Sequence, residues 1–71
     1  MTELAPYQVR VVKEKTALDE RLTKLSDFLP TPACFDLPFE DRCLLVRQEK
    51  TMRQLSAILG ERIGRFTSKG A

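Results

Sequence analysis

Histidine and tryptophan are absent from this chain, cysteine occurs twice and glycine three times. Without His the commonest general base and metal ligand are missing, which argues against hydrolase triads and most catalytic zinc sites. The candidate nucleophiles Cys34, Cys43, Ser26 and Thr31 therefore have no imidazole to activate them, and the carboxylates form no spaced pair beyond ordinary helix-surface neighbours. No enzymatic activity, metal or cofactor is expected. The glycines sit in helical or terminal positions, so there is neither a phosphate-cradling loop nor a dinucleotide fingerprint. No apolar run reaches about 18 residues, and Met1-Thr2-Glu3-Leu4 lacks the basic and apolar regions of a signal peptide. A cytoplasmic protein is the expectation. In that reducing setting Cys34 and Cys43, which fit no CxxC pattern, read as packed or idle thiols, or else as an inter-subunit metal or redox pair.

What is present is a chain of 71 residues, 42% hydrophobic and 31% charged, as an amphipathic helical protein requires. One core of this size supplies only about 3–5 kcal/mol, so partner subunits are expected to make up the difference. Charge is unevenly placed. Residues 1–29 balance five bases against five acids, and residues 30–45 set Arg42 against three acids. Residues 46–71 carry six bases against Glu49 and Glu61, a net +4. That cationic end is either a solvated helix face or the seat of an anionic ligand.

Apolar residues at Tyr7, Val11, Leu18, Leu22, Leu25 and Leu29 recur with helical period and predict a helix over residues 6–29, with Pro6 at its first position and Ala5 as a poor cap. Pro30-Thr31-Pro32 ends it. A turn over residues 30–37 leads into a second helix over residues 38–66, which Asp36 is expected to cap. Its expected seam is Leu45, Gln48, Met52, Leu55, Leu59, Arg62 or Ile63, and Phe66. The predicted fold is all-α: a single domain over residues 1–71, an antiparallel hairpin of two long helices assembling into a compact homo-oligomer.

If Leu29 meets Pro38 at the turn, facing residues have numbers summing to roughly 67, which places Tyr7 near Gly60, Lys13 near Gln54 and Lys24 near Cys43. Gly60 and Gly64 each cost about 1 kcal/mol inside a helix relative to Ala. Close approach of a helix or ligand offsets that cost, or the positions are merely tolerated at a fraying end. Polar residues interrupt both expected seams, Glu14 and Arg21 in the first helix and Gln48 and Arg62 in the second. Helix drift, a specified oligomer register or an internal polar pocket would each account for them.

Nucleotide binding would have to use side chains from several helices, with Arg and Lys holding phosphates while an aromatic ring stacks on a base. Tyr7 is the only tyrosine and the best such ring, although a seam tyrosine with its hydroxyl at the wet helix end satisfies the pattern equally. Two Tyr7 rings brought together by a symmetry axis would clamp a two-base ligand.

The stretch from Pro6-Tyr7-Gln8-Val9-Arg10-Val11-Val12 through Glu14-Lys15, Leu18-Asp19, Lys24-Leu25 and Phe28 resembles the first helix of a small bacteriophage hairpin domain. Leu45-Val46-Arg47-Gln48, Met52, Leu55, Leu59-Gly60-Glu61-Arg62-Ile63 and Phe66 resemble its second helix. The domain is the one shared by anti-CBASS protein two and Thoeris anti-defence protein one, phage proteins that sequester nucleotide immune signals. The resemblance implies a compact homo-hexamer that binds cyclic dinucleotides such as 3′,3′-cyclic GMP-AMP between protomers, without cleavage, in the cytoplasm of an infected bacterium. Some members take cyclic trinucleotides at separate sites, or glycocyclic ADP-ribose. Carried to matching positions, Tyr7 stacks on a base, Lys24 with Arg10 or Arg21 meets phosphates, and Arg62 and Arg65 form a second anion site. Arg21 stands where relatives often have Lys. Outside the resemblance, a coiled-coil-like adaptor for a host protein and a basic helical nucleic-acid binder are the alternatives, the latter with no recognition-helix motif behind it.

Overall fold

The computed structural model describes residues 4–67, and the elements among them are helices alone: α1 (Pro6–Phe28), α2 (Pro32–Phe35) and α3 (Phe39–Thr67). Residues 1–3, which bear on the expectation of no signal peptide, and residues 68–71, which include Lys69 of the cationic end, lie outside it. The long helices α1 and α3 pack along each other in opposite directions.

The start of α1 is better held than Ala5 suggests. Gln8 folds back so that its Oε1 accepts from the Ala5 N–H at 2.7 Å, the glutamine half of a capping box. The segment expected as an irregular turn contains the one-turn helix α2. Thr31 builds it with one hydroxyl, which donates to the Phe28 carbonyl at 2.6 Å and accepts from the Cys34 N–H at 3.3 Å. The Phe28 carbonyl and the Cys34 amide, already bonded to the Thr31 backbone N–H and carbonyl, each gain a second partner there. Asp36 does not head the second long helix as expected. It closes α2, its N–H donating to the Pro32 carbonyl, while the first bond of α3 runs from the Arg42 N–H to the Pro38 carbonyl.

This linker changes the register. Across the hairpin Lys15 lies against Gly60, Asp19 bonds Ser56 and Ser26 bonds Glu49, pairs that each sum to 75 rather than 67. The cause is the bulk of α2, which stands where a tight turn was assumed, so the first turns of α3 run beside the linker and only later ones reach α1. Tyr7 accordingly meets Phe66 and not Gly60.

The seam also differs from expectation at alternate positions. Val11, Leu18 and Leu59 form the buried core, with Met52, Ile63 and Phe66 packed against it. The partly covered positions of α3 run Leu45, Glu49, Met52, Ser56, Leu59, Ile63 and Phe66, spaced by four and three. Glu14, Arg21, Gln48 and Arg62 are all exposed, and the polar members of the seam are instead Gln8, Lys15, Asp19 and Ser26 on α1 and Glu49 and Ser56 on α3. Leu55, expected inside, points outward.

The result is a rod of 51 × 16 × 15 Å with a radius of gyration of 16.1 Å. A compact domain of this length would have a radius near 11 Å. Leu59, 2% exposed, is the largest fully buried side chain. Truncating it to Ala would remove about 2–5 kcal/mol, comparable with everything so small a core supplies.

Candidate functional site

The two edges of the α1–α3 seam are chemically different. Along one edge the polar side chains bond each other: Lys15 Nζ donates to Asp19 Oδ2 at 2.7 Å and Ser56 Oγ donates to Asp19 Oδ1 at 2.5 Å. Two turns further, Ser26 Oγ donates to Glu49 Oε2 at 2.6 Å while Arg53 donates to both, at 3.1 Å to Ser26 and 3.0 Å to Glu49. Lys15, then Ser56, holds the Asp19 carboxyl below its ordinary range, and Ser26, then Arg53, does the same for Glu49. Gly60 belongs to this edge: a Cβ there would stand 3.3 Å from Lys15 Cε, so the missing side chain admits the lysine stem on its way to Asp19. The close approach anticipated at Gly60 is made by a side chain of the same protomer.

The other edge carries the residues singled out from sequence. Tyr7, Arg10, Arg21 and Lys24, at spacings that keep one stripe of α1, are all exposed there. Arg62 and Arg65 are exposed on the matching flank of α3. The register sets Arg10 level with Arg65, one turn along α1 from Tyr7. The Tyr7 ring meets Phe66 edge to face, with centroids 6.0 Å apart and planes at 81°, and stays 52% exposed. A T-shaped support fixes the ring while leaving surface for a second stacking partner. Phe66, which sequence placed only in the seam, is thus the support for the aromatic candidate.

The structure does not bring all six residues together. Tyr7 and Lys24 are seventeen positions apart on one straight helix, about 25 Å along its axis. No single small ligand touches both within one protomer, and a site using both takes them from different copies.

Between these cationic positions the open edge turns apolar on α3. Leu44, Leu55 and Ile58 are 56%, 40% and 54% exposed, and a shallow groove of about 360 Å³ runs between Leu44, Arg47, Gln48, Thr51, Met52 and Leu55. A second groove lies at the turn beside Phe39, Arg42, Cys43 and Val46. There the Arg42 guanidinium stands over the exposed rings of Phe35 and Phe39, 5.9 and 5.5 Å from their centroids.

The candidate nucleophiles are otherwise engaged or unassisted. Ser26 and Thr31 serve the two hydrogen-bond clusters described above. Both cysteines are free thiols, Cys34 buried and Cys43 exposed. Among the described residues no His, Cys, Asp or Glu group could hold a metal ion, and no helix is long and apolar enough to cross a membrane.

No curated protein and no solved structure matches the chain. A family model does: the one named Sequestin, over residues 5–65, which runs from the Ala5 cap through the linker to Arg65. With nearly the whole hairpin inside that match, the chain belongs to the Sequestin family.

Proposed function

We propose that the protein sequesters a cyclic oligonucleotide immune signal, a cyclic dinucleotide such as 3′,3′-cyclic GMP-AMP or a cyclic trinucleotide, without cleaving it, and thereby inhibits CBASS effectors in the cytoplasm of a phage-infected bacterium. The observation that carries this is the Tyr7 ring: supported by Phe66, half exposed, and one turn from the exposed Arg10 on the same helix. A base stacks on such a ring while guanidinium groups receive phosphate oxygens, the two contacts a cyclic nucleotide requires. The family name fits sequestration.

The separation of Tyr7 and Lys24 on one helix supports reading the binding unit as an assembly, proposed as a hexamer, in which Tyr7 of one copy and Lys24 or Arg21 of another face the same ligand, with Arg62 and Arg65 serving a second anion site. Sequestration needs affinity and copy number rather than turnover, so no general base is called for. The apolar stripe of Leu44, Leu55 and Ile58 supports a second reading, an adaptor for a host protein, which predicts complexes with no nucleotide affinity.

Calorimetry with 3′,3′-cyclic GMP-AMP and cyclic trinucleotides, with chromatography of the recovered ligand, separates the two. Sequestration predicts saturable binding and intact ligand. Tyr7→Ala should abolish cyclic dinucleotide binding while helicity and oligomer size persist, and Tyr7→Phe should keep it. Unchanged affinity in Tyr7→Ala would remove the stacking role.

A further inference from the structure

The surface of the hairpin is 5647 Å², whereas a globular monomer of this mass exposes about 4,500 Å². The excess is comparable with the roughly 800 Å² that each partner contributes to a stable protein interface. On the open edge of α3, Glu40, Leu44, Thr51, Leu55, Ile58 and Arg62 form one continuous stripe, all exposed. Reversed about Thr51, the stripe faces itself with complementary residues, except that Leu55 has the exposed Arg47 as its counterpart. Leu44 and Ile58 stand seven residues to each side, Glu40 and Arg62 eleven.

From this symmetry we infer that α3 pairs with α3 of a second copy of this chain, antiparallel, across a two-fold axis at Thr51. The operation sets Leu44 against the partner's Ile58 and brings Leu55 and Ile58 of each copy into the groove that runs from Leu44 to Leu55 on the other. It sets Glu40 against the partner's Arg62 at both ends, so an anion at the second site would compete with Glu40 for Arg62. A parallel pair would instead oppose Glu40 to Glu40 and Arg62 to Arg62, so charge alone separates the two orientations. The helix dipoles also favour the antiparallel arrangement. The opposite edge is not available for the same purpose, because its hydroxyls and carboxylates are already bonded within the protomer. This interface rests on the proposed assembly and names its two-fold contact, which alone closes a dimer; a hexamer joins such dimers through a second surface.

The test is disulfide trapping in full-length protein carrying Cys43→Ser, which leaves only the buried Cys34 as a native thiol. Under mild oxidation, Thr51→Cys should give a covalent dimer. Leu44→Cys alone should give none, and an equimolar mixture of Leu44→Cys with Ile58→Cys should give a mixed dimer. Ala57→Cys, on another face of α3, should stay monomeric on denaturing gels. Self-crosslinking of Leu44→Cys would show a parallel pair and overturn the inference, as would absence of the mixed dimer in samples whose helicity matches the parent. Cyclic nucleotide titration of the same samples keeps the two proposals apart. Ligand binding without the trapped pairs overturns this interface and spares sequestration; trapped pairs without ligand binding do the reverse.

Discussion

Glu49 and Asp19 show how much of this protein is decided by single polar side chains. Each carboxylate receives a hydroxyl from the facing helix and a cation from its own, and both titrate below their ordinary range for that reason. A carboxyl whose folded pKa is depressed contributes stability that is present above its unfolded pKa and lost as pH falls through the folded one. The wild-type denaturant midpoint should therefore drop between neutral pH and about pH 3. Glu49→Gln keeps an acceptor for Ser26 but cannot titrate, so it should start lower at neutral pH and fall less. Equal falls in the two proteins would remove Glu49 as a source of the acid sensitivity. These residues also mark where sequence was hardest to read. Leu55 beside Ser56, and Gln48 beside Glu49, offer two stripes that share Leu45, Met52, Leu59 and Phe66. Hydrophobicity favours the stripe with Leu55, and only the hydrogen bonds from Ser26 and Ser56 turn the other inward. Tyr7, Arg10, Arg21 and Lys24 could be placed on one flank from their spacing, but the ring support from Phe66 depends on a register that spacing does not contain.

At the scale of elements, the linker explains why the helices were legible and their alignment was not. Prolines mark both limits of α1 and the start of α3 to within two residues, because each removes a donor and fixes φ. The short helix α2 also opens on a proline, Pro32 after its Thr31 cap, but one turn is too short to show a hydrophobic period, and its bulk shifts the register by eight. The glycines of α3 likewise part company once the register is known. Gly60 makes room for Lys15, whereas a Cβ on Gly64 would meet nothing within 4 Å. Gly64→Ala should then stabilise the isolated hairpin by up to about 1 kcal/mol through helix propensity, a rise of roughly 4–8 °C in melting temperature. Circular dichroism in dilute solution checks this. A fall in melting temperature would show that Gly64 is needed for close packing against another chain.

For the whole molecule the governing fact is a rod with only Val11, Leu18, Cys34 and Leu59 buried among the described residues. If assembly supplies what this core lacks, thermal stability must depend on protein concentration by mass action, and a ligand bound between copies must raise it further. Melting scans over a wide concentration range should show a rising midpoint, and a concentration-independent midpoint would mean that the lone hairpin is stable enough by itself. The hydrogen-bonded edge then acquires a meaning that concerns growth rather than stability. A hairpin arriving along Lys15, Asp19, Ser26 and Glu49 finds donors and acceptors already committed to each other, and stripping water from them gains nothing in return. Lateral stacking of hairpins stops there. An elongated helical rod with two sticky edges would extend into sheets or fibres, whereas one with a single open edge closes on itself and stays a small particle that diffuses freely.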